Sequence, residues 1–126
     1  MKATEEIWII KGYETFAFFG KAGLKIEHLS KEVGISKSSF YHHFADLGIF
    51  IEMLFKQHLK VSAIIAEKER LAKAINPDLI NILLEHKVDL LFNRQLRINS
   101  NLANYYETLI KSNHWPGLYT ALVNRH

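Results

Sequence analysis

The chain has 126 residues, of which 48% are hydrophobic, and it carries a formal net charge of +3. This length and apolar content predict a folded unit that buries a core of its own. The lack of cysteine excludes disulfides, thiolate nucleophiles and Cys-ligated zinc, and fits a reducing compartment. No uncharged apolar run reaches membrane-spanning length, and Glu5 and Glu6 stand where a secretory signal would be basic. We therefore expect a cytoplasmic protein without a membrane partner.

A first helix is predicted over residues 4–19, where apolar side chains recur at helical spacing and Gly20 follows. Two short helices are then predicted within residues 26–44, separated by Gly34. Glycine tolerates the positive φ that a tight turn between two helices requires. Ser36, directly after this turn, is suited to cap the next helix by accepting a backbone N–H bond.

The second half of the chain also shows helical periodicity. A long helix is predicted from the Asp46 cap to about residue 73. Asn76 and Pro77 mark a break and restart, and residues 78–92 form the next predicted helix. We expect a turn or a short helical piece over residues 93–99, then another helix that begins at Ser100 or Asn101. We find no β-type alternation of useful length, so the predicted fold class is all-α.

One series of residues within the first half is specific enough to indicate a family. Its members are Phe16, Gly20, Leu29, Ser30, Gly34, Ile35, Ser36, Lys37, Ser38, Ser39, Phe40, Tyr41, His42, His43 and Phe44. In this order and spacing, the region 20–50 closely resembles the DNA-binding head of TetR-family transcriptional repressors of bacteria. The resemblance implies a helix-turn-helix head over residues 1–46. Residues 47–126 would then form an antiparallel helical body for effector binding and dimerisation, and the body looks short at its C-terminus.

The resemblance also implies roles for individual residues at the start of the recognition helix. Short hydroxyls and a lysine there would reach base edges or phosphates in the major groove, and the tyrosine would donate its hydroxyl to a phosphate. The candidate DNA-binding residues are Lys25, Ser36, Lys37, Ser38, Ser39, Tyr41, His42 and His43.

Three positions depart from the family pattern. Lys25 stands where a threonine usually caps the second helix, so a cap is lost and a cation is gained. Leu47 replaces a lysine that usually contacts phosphate, which removes one expected DNA contact. Lys21 replaces a common apolar or aromatic residue, and it would partly compensate if it pointed toward DNA.

The body contains four candidate effector-binding residues. Lys87 has Leu83, Leu84, Leu90 and Leu91 as its helical neighbours. Its ammonium would either pair with an anionic effector or an internal carboxylate, or lie in water with its stem on an apolar surface. His58, Tyr105 and Tyr106 would give a mostly apolar pocket its polar anchors, with core packing as the alternative for each.

The predicted function is a ligand-responsive DNA-binding regulator, most simply a repressor that binds a pseudo-palindromic operator as a homodimer. Its partners would be double-stranded DNA and a small-molecule effector. The alternative is a helical protein-interaction module without DNA binding. No spacing of acid, base or nucleophile supplies an active site, so we expect no enzymatic activity and no cofactor. Adjacent His42 and His43 diverge by about a hundred degrees on a helix, so no metal site is expected.

Overall fold

The computed structural model of the chain describes residues 3–112, and within that range all regular secondary structure is helical. This confirms the predicted all-α class. A 3-10 turn over Lys21–Gly23 and a π-helical turn over Ile75–Leu79 connect longer elements. The α-helices are α1 (Thr4–Phe19), α2 (Ile26–Val33), α3 (Lys37–His43), α4 (Leu47–Leu71), α5 (Ile80–Glu85), α6 (Lys87–Ile98) and α7 (Ser100–Ser112).

Local sequence signals determine the helix ends in the first half of the chain. Gly20 ends α1 with φ of 73°, and Gly34 ends α2 in the left-handed region with φ of 72°. Ser36 caps α3 because its hydroxyl accepts a bond from the N–H of Ser39, and the Asp46 carboxylate caps α4 at 2.9 Å from the N–H of Ile49. The glycine turn and both predicted caps are therefore present.

The second half departs from the prediction at two places. The single helix predicted over residues 78–92 is interrupted at His86, which has φ of −110° and ψ of 29°. Of the two alternatives predicted for residues 93–99, the turn is wrong and the helical one agrees with the structure, because α6 continues to Ile98. Phe92 and Leu96 are four residues apart on the buried face of α6, and their packing favours helix across that segment. The restart predicted at Pro116 lies outside the described residues.

Helix α1 occupies the centre of the core. Trp8 and Phe16 are completely buried, and they contact different parts of the chain. The Trp8 ring meets Phe40 of α3 edge-on at a centroid distance of 5.3 Å, whereas Phe16 packs on Phe92 of α6 at 4.4 Å. Among the described elements, α1 makes its most extensive contact with α6. One helix therefore joins the helix-turn-helix to the rest of the fold.

A glycine brings α1 close to α4. Gly12 is buried in the middle of α1, and a Cβ atom built there would lie 2.3 Å from Cζ of Phe50. Real Cβ atoms do not approach another carbon so closely. The lack of a side chain at this position therefore allows the Phe50 ring to lie directly against the α1 backbone.

Candidate nucleic-acid interface

Helix α3 is held from behind by two phenylalanines. Phe40 is completely buried and Phe44 is 2% exposed. Their rings pack on Phe50 of α4 at centroid distances of 5.0 and 4.8 Å, and Phe40 also contacts Trp8. Edge-to-face aromatic pairs of this kind add stability beyond the area that they bury. The inner face of α3 is thus fixed, which leaves the opposite face to solvent.

The turn between α2 and α3 is closed by hydrogen bonds on both sides of Gly34. The N–H groups of Gly34 and Ile35 donate to the carbonyl of Ser30 at 2.9 and 3.2 Å. The hydroxyl of Ser30 donates in turn to the carbonyl of Ile35. Leu29 is completely buried beneath this turn, with Ile35 partly buried against the same core. The angle between the two helices is therefore set by backbone bonds and by one small apolar cluster.

The predicted DNA-binding side chains lie on the outer surface of this unit. Ser39 and His43 are partly buried, and the other members of the set are exposed: Lys25, Ser36, Lys37, Ser38, Tyr41 and His42. Tyr41 is 49% exposed, and its ring meets Phe40 edge-on at 5.3 Å, which directs the ring without burying it. Most of the predicted residues of α3 are therefore accessible to solvent. Their contact with DNA remains a prediction.

Hydrogen bonds organise the first turn of α3. The hydroxyls of Ser36 and Ser38 are 3.0 Å apart, and Ser36 also accepts from the N–H of Ser39 at 3.4 Å. The Lys37 ammonium donates to the carboxylate of Glu27 in α2 at 3.1 Å. Glu27 is outside the set of predicted DNA-binding residues. It nevertheless brings a negative charge to the lysine at the tip of α3.

A second group of charges ties α1 to α2. The ammonium of Lys11 lies 2.7 Å from the carboxylate of Glu32, and His28 lies 2.7 Å from the other oxygen of that carboxylate. The hydrogen bond from Lys11 lowers the pKa of Glu32 and in the same way raises that of Lys11. Such pairs near the surface add little to stability; the Lys11–Glu32 pair joins α1 to α2, whereas the His28–Glu32 pair lies within α2.

The positions that depart from the family pattern can now be assigned. Lys25 is the N-cap residue of α2, and its side chain forms no cap hydrogen bond and is exposed. Lys21 is exposed in the 3-10 turn. Leu47 packs partly buried against the core at the start of α4, where a lysine would point outward. Leu47 therefore contributes to the apolar packing at the start of α4.

A chain of polar side chains crosses the interior between α1, α4 and α6. The Tyr13 hydroxyl donates to Oδ1 of Asp89 at 2.6 Å, and Nδ1 of His58 lies 2.9 Å from the same hydroxyl oxygen. Since the single hydroxyl proton goes to Asp89, Nδ1 of His58 must carry a proton and donate. The remaining nitrogen, Nε2, lies 3.4 Å from Oδ1 of Asn93, and a half-turn of that amide would present its NH₂ group as donor.

The same chain continues to the surface through Asp89. Its Oδ2 lies 2.9 Å from Nδ1 of His86, and Nε2 of His86 lies 2.8 Å from the ammonium of Lys68. Lys68 also pairs with Glu85 at 3.0 Å. Burial raises the pKa of Tyr13, and the bond to Asp89 acts in the same direction. These contacts hold His86 at the break between α5 and α6.

The buried imidazole of His58 is kept neutral. Its side chain is 2% exposed and stacks on Phe92 at a centroid distance of 4.5 Å. Burial lowers its pKa to about 4, although the charge of Asp89 favours the cation. His58 therefore joins α4 to α1 and α6 as a hydrogen-bonding group without a charge.

The structure brings only some of the candidate effector-binding residues together. His58 and Tyr106 approach with ring centroids 5.8 Å apart, and both rings belong to the buried aromatic cluster around Phe55. The Tyr106 hydroxyl oxygen is buried, and burial raises its pKa. Tyr105 lies at the edge of this cluster, 39% exposed. An effector role for these three residues remains a prediction.

Lys87 is not part of that group, since its side chain is exposed. A buried ammonium at this position was one of the two predicted arrangements, and the structure does not contain it. The neighbouring Leu83, Leu84 and Leu90 are themselves 52%, 70% and 41% exposed. Lys87 is exposed because the helix is broken at His86, and beyond this break α6 packs Phe92 against the core while Lys87 lies on the outer side.

Two features of the structure were not predicted from the sequence: the chain of polar side chains through Tyr13 and Asp89, and the carboxylate of Glu27 beside Lys37. Tyr13 lies at helical spacing with the apolar residues of α1, and this spacing alone assigns no partner to its hydroxyl. One feature of the sequence does indicate the chain of polar side chains. Asp89 and Asn93 are four residues apart and lie in the same apolar stripe of α6 as Phe92. Polar side chains within such a stripe require partners when they are buried.

The comparisons with known proteins give one informative match. No protein-family profile matches the sequence, and no match was found among curated proteins. A crystal structure of a provisionally assigned TetR-family transcriptional regulator from Mesorhizobium loti superposes with a TM-score of 0.57 at 16% sequence identity. The match covers 96% of this chain and 68% of the other. The chain has the TetR-regulator fold.

This likeness confirms the predicted architecture, in which a helix-turn-helix head is followed by a helical body. The matched protein is described as a transcriptional regulator. No helix within residues 3–112 is long and apolar enough to cross a membrane. Within the same range, no group of three or more histidine or acidic side chains is arranged to hold a metal ion.

Proposed function

We propose that the protein is a DNA-binding transcriptional regulator whose α3 enters the major groove. The observation that supports this most strongly is the exposed outer face of α3 in a fold like that of TetR-family regulators. Helix-turn-helix proteins read DNA with the N-terminal residues of the second helix. Here those residues are Ser36, Lys37, Ser38 and Ser39, which present hydroxyls and one ammonium.

The roles of individual residues follow from their positions. Tyr41 would donate its hydroxyl to a phosphate while its ring leans on Phe40. Lys25 would contact a phosphate and His42 a base or a phosphate, and His43, being partly buried, would contribute less. Residues 1–46 would form the head, and residues 47–126 the effector-binding and dimerisation body.

The regulatory part of the proposal is a ligand-responsive repressor that acts as a homodimer in the bacterial cytoplasm. Two heads would bind half-sites about 34–36 Å apart on a pseudo-palindromic operator. An effector would bind near His58 and Tyr106 and change the separation of the heads. A tenfold loss of operator affinity requires only about 1.4 kcal/mol of difference in effector binding between the two states.

The test is a salt titration of binding to the DNA that flanks the gene itself, read by fluorescence anisotropy. We expect the logarithm of affinity to fall linearly with the logarithm of salt, with a slope of about −0.9 for each phosphate neutralised. Tyr41→Phe removes one phosphate bond and keeps the ring, so the affinity should fall about tenfold. Glu67→Gln, which changes an exposed charge on α4, is the control. Binding without salt dependence, or an unchanged affinity of Tyr41→Phe, would contradict the proposal.

The alternative function is a protein-interaction module. Exposed apolar side chains favour it, notably Phe18 and Phe19 at the end of α1, which are 50% and 72% exposed. Such a module would bind no duplex in the same titration. A Phe19→Ser variant that keeps full DNA affinity would show that this apolar surface is separate from the DNA-binding function.

A further inference from the structure

The ion pair between α2 and α3 is the basis of a further inference, which rests on the proposed DNA binding. Glu27 lies in the first turn of α2, and its side chain is 77% exposed. Its carboxylate accepts from the ammonium of Lys37, the first residue of α3, at 3.1 Å. The lysine side chain is 49% exposed. Both charges therefore lie at the surface, at the tip of the helix that would meet DNA.

We propose that Glu27 determines specificity by neutralising Lys37 in the free protein and so weakening sequence-independent binding to phosphates. Non-specific affinity for DNA comes almost entirely from cations that displace condensed counterions. A lysine that is already paired with a carboxylate displaces fewer counterions on binding, because it must exchange the carboxylate for a phosphate. The residues from Ser36 to Phe44 contain no acid, so the negative charge at this tip is supplied from α2.

The pairing does not prevent binding to the operator. A lysine at the start of α3 gains more from a correctly placed base edge or phosphate than from an exposed carboxylate, since exposed ion pairs are weak and screened by salt. The released carboxylate is also able to accept from the exocyclic amino group of a cytosine in the major groove. Glu27 thus penalises binding to random duplex more than binding to the operator, which raises the ratio of specific to non-specific affinity.

An acid at this position has a second, purely structural use. Glutamate in the first turn of a helix stabilises the positive end of the helix dipole. That role would change the stability of α2 but would not act through Lys37. A double-mutant cycle between the two residues separates the two roles, because only the proposed one depends on the lysine.

The experiment measures the binding of the full chain to a random duplex of about 20 base pairs between about 50 and 300 mM salt. At low salt Glu27→Gln should bind about two- to fivefold more tightly than wild type, with a salt slope steeper by about 0.9. In the Lys37→Ala background the same substitution should have less than about half of that effect on the affinity. Glu67→Gln breaks an exposed pair with Arg70 on α4 and is the charge-matched control.

Three outcomes would overturn the inference. Glu27→Gln binding no tighter than wild type would show that the carboxylate does not restrain Lys37. An equal gain in the Lys37→Ala background, or in Glu67→Gln, would show general charge repulsion instead of neutralisation of Lys37. If wild type bound the duplex at its gene without salt dependence, the proposed function would fail, and the inference with it. Thermal unfolding of each variant verifies that the exposed substitutions leave the fold intact.

Discussion

The neutral, buried His58 predicts a marked sensitivity of folding to acid. In the unfolded chain a histidine has a pKa of about 6.5, whereas burial lowers that of His58 to about 4. Between these values the unfolded state binds more protons than the folded one, so stability falls as the pH falls. From about pH 7.5 to about pH 4.5, this one group should remove about 2.5 kcal/mol from the free energy of unfolding.

The assay is urea denaturation at about pH 7.5, 6 and 4.5, followed by circular dichroism. His58→Gln removes the titrating group, so its stability should depend less on pH than that of wild type, by about 2.5 kcal/mol over this range. Because other acids also titrate there, the difference between the two proteins is the quantity to read. His42→Gln, at an exposed position, should keep the acid-induced loss of wild type because His58 is intact. Parallel curves for wild type and His58→Gln would refute the reasoning.

Two further substitutions test the packing of α1. Tyr13→Phe should lower the free energy of unfolding by about 1–3 kcal/mol, since Asp89 loses its hydroxyl donor at 2.6 Å. Tyr105→Phe, at an exposed position, is the control and should cost little. Equal losses for the two variants in urea denaturation would contradict this reasoning. Gly12→Ala should lower the free energy of unfolding by about 1–3 kcal/mol, because the new methyl group overpacks against Phe50, and the thermal midpoint should fall with it. Phe50→Leu in the same chain should restore part of the lost stability. A Gly12→Ala protein as stable as wild type would show that the ring moves freely.

The first half of the fold could be predicted because its signals are local. The glycine that ends α2, the serine that caps α3 and the spacing of Phe40 and Phe44 lie within ten residues of one another. Each of these residues limits the backbone where it stands, and together they specify the turn and the buried side of α3. The exposed outer face then follows from the buried one.

The second half was harder because its decisive contacts join distant residues. The break at His86 is held by Lys68, eighteen positions earlier, and by Asp89, which is itself bonded to Tyr13 in α1. A helical pattern in the sequence cannot show such a break, since the apolar spacing continues across it. The outward position of Lys87 follows this break, whereas the polar role of Tyr13 depends on its hydrogen bond to Asp89 in α6.

The double attachment of α1 affects how separable the two parts of the molecule are. Trp8 packs against Phe40 on the buried side of α3, while Tyr13 and Phe16 lie on Phe92, far along the chain. A fragment cut after residue 46 would leave those two rings in water and lose a large share of its apolar burial. The first 46 residues are therefore not an independent module that could be transplanted to another protein. Part of their interior is supplied by α6, so a shift of α6 would reach α3 through their shared contacts with α1.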